Sequence, residues 1–375
     1  MSKATGMSKQ TVSLAIAELE DEGFVTASAI QQGQLGRSAT VYDVAPRAGW
    51  LLGIDMGSTH IRVAASSITG HLILERERAV PDAPNRANAD MAAQARDVIA
   101  SVVSDLEPRH GPLRAACLAL SRAVAELRDW QEQPPADLAA GDLPQIVAEL
   151  AIPEGIAVYA ENNVNCAAVG ELRHGCAVDR MDIAYLQVGV GLGAGIIADG
   201  RVLRGAWGHG GELRKLPLPF LGPSEGSIGS QDVLSSEGLI RLYNSSRGDE
   251  GGTDATSSTE VFDRAQQRMP RARKAIQDEA TGLAFLAAAL IATASPTMVI
   301  VGGGMGRNRE LLALIEEQAA GWGLDVPIRH GDLAEAATVA GAAAIAAEQF
   351  LMDLLGAHAA SAISGYRSRW SMPTA

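Results

Sequence analysis

The sequence predicts an α/β protein of two similar subdomains facing a cleft, preceded by a small helix-and-hairpin segment. Composition is the first observation behind this: hydrophobic residues make up 47% of the 375-residue chain, glycine numbers 40, and aromatics are only 4%. That mixture suits Ala/Val/Leu-rich layers of alternating strand and helix better than an aromatic sandwich. The second observation is three Gly-rich turns, each behind a hydrophobic strand: GIDMGST at 53–59, VGVGLGAG at 188–195 and VGGGMG at 301–306. The third is that the first two of these turns open the two halves of the chain in the same way, a weak internal duplication. Length agrees, because a single core stops growing well before 375 residues.

In order along the chain, residues 8–25, SKQTVSLAIAELEDEGFV, place Val12, Ala15, Ile16 and Leu19 at helical spacing. Ser8 is the N-cap, and Gly23 falls where a left-handed C-terminal residue belongs. FVTASA and SATVYDV then read as short strands flanking QQGQLGR, a hairpin with a Gly-rich tip. Helix followed by β-wing is the winged helix-turn-helix order. From Trp50, LLGIDMGSTHIRVAASSITGHLILERE reads as two strands around a Gly-centred turn, followed by a helix near 90–106 and a strand at 115–120. A Pro-rich loop at QEQPPAD, a helix at 143–150 and the strand GIAVYA come next. Residues 183–203 read strand, glycine turn, strand; 245–258 are polar and turn-forming; a long Ala/Leu helix covers 271–292. The strand TMVIVGGGMG, a helix at 308–321 and a last Ala-rich helix complete the chain. The expected division is 1–47 for the helix-hairpin segment and 48–375 for the body, its halves meeting near 170.

A formal charge of −13 argues against a protein that coats nucleic acid as a whole, while leaving room for a small polar DNA-reading module at one end. Cys117, Cys166 and Cys176 are too few and too scattered for a disulfide framework or a zinc knuckle, so the compartment expected is reducing cytosol. MSKATGMSKQ has no apolar signal core, and secretion or membrane spanning is not expected.

Three motifs carry candidate chemistry. In GIDMGST, backbone N–H groups of Gly57, Ser58 and Thr59 can face a phosphate, and Asp55 at the strand end can hold Mg²⁺ through water. A tight turn built for its own sake has about the same claim on these residues. Gly189, Gly191, Gly193 and Gly303 in the other two turns shift the balance towards nucleotide. In ENNVNCAAVGE, 161–171, a strand runs into Asn162 and Asn163 at a helix start, the position where α/β proteins gather chemistry.

The order of helix-hairpin, GIDMGST, ENNVNCAAVGE, VGVGLGAG, GAWGHGGELRK, and VIVGGGM followed by an AGAAAIA helix resembles the ROK family of repressors, open reading frames and sugar kinases, over nearly the whole chain. The resemblance implies an actin-like, hexokinase-type ATPase fold with a sugar cleft between its subdomains. Members with an N-terminal winged helix are similar to sugar-responsive repressors. In family kinases an Asn grips sugar hydroxyls and the following Asp takes the proton from the attacking hydroxyl. Here those positions are Asn162 and Asn163, and a carboxamide hydrogen-bonds but is no general base near neutral pH. Glu212 keeps the carboxylate of the family's Glu-x-Gly-His, whereas Arg214 and Lys215 replace Gly and His, the latter a zinc ligand in the family. Pro223, Glu225 and Ser230 stand where its zinc cysteines are expected, so no zinc is expected, and ATP and Mg²⁺ are not expected as cofactors beyond a residual nucleotide affinity of the glycine turns. Ser121 and Arg122 replace a Pro-Gly turn beside the sugar. The expected effector contacts are Asn162, Asn163, Glu212, Lys215 and Asp232, and the four departures suggest either an altered effector, a sugar or, given Arg122, Arg214 and Lys215, a sugar phosphate, or a cleft that has lost small-molecule binding.

Ser8, Lys9, Gln10, Thr11 and Ser13 cluster at the start of the first helix, where small polar and amide side chains contact phosphates and base edges in a major groove, and Arg37 at the wing tip can reach a minor groove. A winged helix needs about three helices, and MSKATGM leaves room for little before this one. Lys3, Lys9, Arg37 and Arg47 also face Glu18, Glu20, Asp21, Glu22 and Asp43, a meagre electrostatic term for DNA. The head therefore reads as incomplete, or the start codon as misplaced. The reading reached is a catalytically inactive, dimeric or tetrameric regulator that binds operator DNA and senses a sugar. A glucokinase-like sugar kinase is the alternative, and a relic ATPase fold that only dimerises is a third.

Overall fold

The computed structural model describes residues 8–32, 38–57, 60–80, 88–124, 143–218, 229–246 and 253–355. Helix α1, Lys9–Asp21, begins as its sequence requires: the Ser8 Oγ accepts the Thr11 N–H at 3.1 Å. It ends at Gly23, whose φ of +77° is left-handed, with Gly23 and Phe24 N–H groups returning to the carbonyls of Glu20 and Leu19. Strands β1, Val25–Gln32, and β2, Ser38–Val44, pair antiparallel with a bulge between Ala27 and Ala29. No residue of α1 is buried; Val12, Ile16 and Leu19 are half-covered and Leu14 is 67% exposed.

The first large sheet has the order β5-β4-β3-β6-β7: β3 Trp50–Met56, β4 His60–Ser67, β5 Leu72–Ala79, β6 Leu113–Leu120 and β7 Ala157–Asn162. The first three form an antiparallel meander, and β6 and β7 add in parallel. Residues 51–77 thus hold parts of three strands, one more than the hydrophobic pattern suggests. The break is a tight turn in which Gly70 takes φ +84° and the Ser67 N–H donates to the His71 carbonyl, too short to interrupt a run of β-formers. Helices α2, Asn88–His110, and α3, Leu143–Leu150, accompany this sheet, and α4, Asn163–His174, leads away from the end of β7.

The second sheet, β10-β9-β8-β11-β12, repeats the plan: β8 Ile183–Val188, β9 Leu192–Ala198 and β10 Arg201–Val202 form the meander, and β11 Val299–Gly302 and β12 Ile328–His330 add in parallel. The duplication read from the glycine turns is therefore a duplication of sheets. Helices α5 Ser230–Val233, α6 Ser236–Ser245, α7 Ser258–Gln266, α8 Pro270–Ala294, α9 Gly303–Gly306 and α10 Arg309–Gly321 belong to this half.

The last helix, α11 Ala337–Leu355, crosses back to the first half and packs along α4 and across β3 and β6. Its small residues are a steric requirement. A Cβ on Gly341 would lie 1.7 Å from the Cys166 carbonyl oxygen, and one on Gly53 of β3 would lie 2.5 Å from the Val339 carbonyl. By length and composition α8 and α11 could each cross a membrane, but in this fold much of each is occupied by the protein core.

Candidate functional site

Where β7 ends and α4 begins, the chain borders a cleft of about 520 Å³ including its open mouth. Asn162, Asn163 and Val164 form one wall; Gly191 and Gly193 from the β8–β9 turn and Gly208, Gly210, Gly211 and Glu212 form the other. Ser121, Gln187, Arg214 and Gln231 also line it.

Asn162 is an N-cap before it is anything else. Its Oδ1 accepts the N–H groups of Val164 at 2.8 Å and Asn165 at 3.3 Å, and its Nδ2 donates to the Arg122 carbonyl at 3.0 Å. Those bonds leave little of the amide for a hydroxyl and instead lock the strand–helix corner. Behind it Glu161, 1% exposed, accepts the Asn162 N–H at 2.8 Å and the Asn165 Nδ2 at 2.9 Å on one oxygen. Its other oxygen takes Arg204 at 2.6 Å, a residue just beyond β10. The carboxylate is thus fully engaged, and it ties the two halves together across the base of the cleft. Asn163, in the first turn of α4, is half-buried and faces the lining.

Opposite, Glu212 precedes a 3₁₀ turn, Leu213–Lys215, and its Oε2 lies 2.8 Å from Arg214 Nε. The loop that presents it is closely fitted: Gly211 has φ +83°, and a Cβ there would sit 1.9 Å from the Ala194 carbonyl. Among the described lining residues Glu212 is the only carboxylate and Arg214 the only cation, so the pair is internally neutral.

The predicted contacts separate under this geometry. Asn162, Asn163 and Glu212 come together. Asp232 does not join them: it is exposed, and its Oδ2 accepts the Gly229 N–H at 3.0 Å, a capping role for α5. Lys215 lies in the 3₁₀ turn, with its side chain outside the described set. Gly191 and Gly193, expected as nucleotide contacts, line this cleft. Gly189 spends its N–H on the Gly191 carbonyl at 3.0 Å. Gly303 has φ +83°, and its backbone bonds the Tyr185 hydroxyl. Asp55 is only 7% exposed, and burial pushes its carboxyl up to about 6 despite the nearby Arg62 guanidinium. Gly57 is at the following turn, while Ser58, Thr59, Arg37, Pro223 and Glu225 lie outside the described residues. Ser230 is fully buried and donates to the Leu213 carbonyl.

At the head, Ser8 and Thr11 are used in capping, and the Ser13 hydroxyl donates to the Lys9 carbonyl at 3.0 Å. Lys9 and Gln10 are exposed. Gln187, Gln231, Arg204 and Glu161 escaped sequence reasoning. A lone Gln in the apolar strand IAYLQV is the one signal that could have found any of them.

The ROK family model matches residues 51–349, most of the chain. The chain belongs to the ROK family. Among ROK relatives, the xylose repressor of Caldicellulosiruptor bescii is 26% identical over 334 residues, covering 80% of this chain and 77% of that protein. The bifunctional enzyme NanE/NanK of Brucella melitensis is 30% identical over 267 residues, covering 71% of this chain and 48% of the enzyme. Among solved structures, a ROK transcriptional regulator described as a homolog of E. coli MLC superposes with a TM-score of 0.70 at 20% identity, covering 94% of this chain and 91% of its own. The ROK glucokinase of Streptomyces griseus, solved with glucose and AMPPNP, has a TM-score of 0.59 at 24% identity, covering 80% and 99%. These likenesses establish the actin-like, hexokinase-type fold for the two sheets.

Proposed function

We propose that this ROK protein binds operator DNA through its N-terminal helix and hairpin, senses a sugar or sugar derivative in the cleft, and does not phosphorylate it. The observation that carries the reading is Asn163. It occupies the first turn of α4 in the cleft wall, and the family resemblance of ENNVNCAAVGE assigns to it the place of the aspartate that accepts the hydroxyl proton in kinases. A carboxamide cannot take that proton, and loss of a general base costs about 10²- to 10⁴-fold in rate. In the facing wall Glu212 lies in an ion pair with Arg214. That neutral pair, with the carboxamides of Asn163, Gln187 and Gln231, favours an uncharged polyhydroxy ligand over a sugar phosphate. D-xylose is the first candidate, since a relative with which this chain shares most of its length is named a xylose repressor.

Zinc has no place in this reading. Ser230, at one family cysteine position, is buried and already donating, and Lys215 stands at the histidine. A soft tetrahedral site needs thiolate or imidazole at those positions. Two heads on a two-fold axis would meet a palindromic operator, and Lys9 and Gln10 are the exposed groups placed to reach it.

Two measurements test the reading together. With ATP, Mg²⁺ and a sugar panel, ADP should form no faster than in the sugar-free control. In band-shift titrations on an operator selected from random DNA, xylose or a related sugar should change the retained fraction. Sugar-dependent turnover of about one per second, within the ordinary enzyme range, would instead make this a sugar kinase.

A further inference from the structure

The N-terminal segment meets the body through a small apolar contact. Phe24, at the base of β1, is 6% exposed and forms a buried cluster with Ala48 and Ile68, against which Phe350 and Leu354 of α11 pack. The Phe24 and Phe350 rings are 6.1 Å apart at 51°, and Arg114 of β6 caps Phe24 at 4.7 Å while its Nε donates to the Ala48 carbonyl at 2.9 Å. Phe350 also packs on the core cluster that contains Val164, Cys166 and Val169 of α4, so one side chain belongs to both the head contact and the core beneath the cleft.

Between those two places α11 has almost no slack. A Cβ on Gly170 of α4 would lie 2.1 Å from the Ala337 carbonyl, and Gly341 is equally tight against Cys166. Arg173 of α4 pairs with Glu348, and Tyr159 of β7 donates to Asp353. Close-packed helices of this kind shift as rigid elements instead of deforming. The start of α4 is the Asn162 cap in the cleft wall.

We propose that α11 is the coupling element of this protein: a shift at the Asn162–Asn163 corner moves α4 and α11 together, and Phe350 passes it to the head through Phe24. The proposal rests on the regulator reading above. Phe24 and Phe350 act as positioning residues, touching neither cleft nor DNA.

Amide hydrogen exchange on the full chain tests this without any ligand. In Phe350→Ala, exchange should quicken by about tenfold in Val25–Gln32 and also, by several fold, in Val164–Ala168 at the cleft, because sub-global opening follows coupled units. Phe350→Leu should restore both, and Leu354→Ala, a milder loss at the same contact, should move both in the same sense. Quickening confined to the head and to residues 345–355 would overturn the proposal, as would an unchanged head. In a second arm with D-xylose, wild type should show protection at Val164–Asn165 and a changed head, whereas Phe350→Ala should show the cleft response alone. A head that still responds in Phe350→Ala overturns the coupling. Absence of any cleft response across the sugar panel counts against the effector reading instead, and the ligand-free arm still decides α11.

Discussion

Replacing Asp55 by asparagine should stabilise the protein, and the gain should depend on pH. Asp55 ends β3 opposite Arg62 of β4, 7% exposed, and burial raises its carboxyl from 3.8 to about 6. A carboxyl raised on folding contributes most below its unfolded value, where both states are protonated, and loses that contribution as pH climbs through its folded value. The window here runs from about pH 4 to about pH 6, with a plateau above. A shift of roughly two units at about 1.4 kcal/mol each bounds the cost at about 3 kcal/mol at pH 7. The Arg62 guanidinium, whose Nε and Nη2 lie 2.9 Å from Glu77 and Glu335, lowers the carboxyl, and the value of about 6 already contains that effect. Asparagine keeps the shape without the charge, so Asp55→Asn should gain about 1 to 3 kcal/mol at pH 7 and almost nothing near pH 4. Urea titrations of both proteins from pH 4.5 to 7.5, read as the difference in unfolding free energy, check this. A difference flat with pH, or a variant less stable at pH 7, would refute the assignment of Asp55 as a buried, costly charge.

Other outcomes follow from the same contacts. Glu171 is fully buried, and its two oxygens accept the N–H groups of Cys176, Asp332 and Leu333 at 2.9–3.0 Å. Glu171→Ala should therefore cost about 3 to 6 kcal/mol by orphaning three donors, seen as a large drop in thermal midpoint. Gly341→Ala places a methyl 1.7 Å from the Cys166 carbonyl, and the expected result is loss of several kcal/mol or no soluble protein on expression. Burial lowers the His174 imidazole to about 3 from 6.5, so stability should fall as pH drops from about 6.5 towards 3, and His174→Gln should flatten that acid limb in thermal melts. Glu212→Ala should weaken binding of whichever sugar the cleft takes by about 1.5 to 3 kcal/mol, read by calorimetry.

Much of the architecture was legible because it is written in local physics. Ser8 and Gly23 bound α1 through a side-chain cap and a left-handed φ, both properties of single residues, so the helix ends where its sequence says. The two related sheets were visible as repeated glycine turns, since a hydrophobic run stopped by glycine is the signature of a buried strand meeting a hairpin. ENNVNCAAVGE marked one wall of the cleft for the same reason: polar residues at a strand end have few other uses. Short turns such as Gly70 were hidden, because one glycine in a run of strand formers hardly alters its pattern.

What the sequence by itself determined is the family, the fold class, the ends of α1 and the identity of the residue at Asn163. Only the tertiary structure decided which polar groups remain for a ligand. Asn162 caps its helix, Asp232 turns to its own helix, Gly191 and Gly193 line the cleft, and Arg204 reaches Glu161 across 43 positions of chain. The physical reason is that capping depends on neighbours three or four residues away, whereas a cleft is made by segments whose distance in space has no record in their distance along the chain. The closure of α11 over α4 belongs to the second kind, since its glycines are meaningful only once the facing carbonyls are in place.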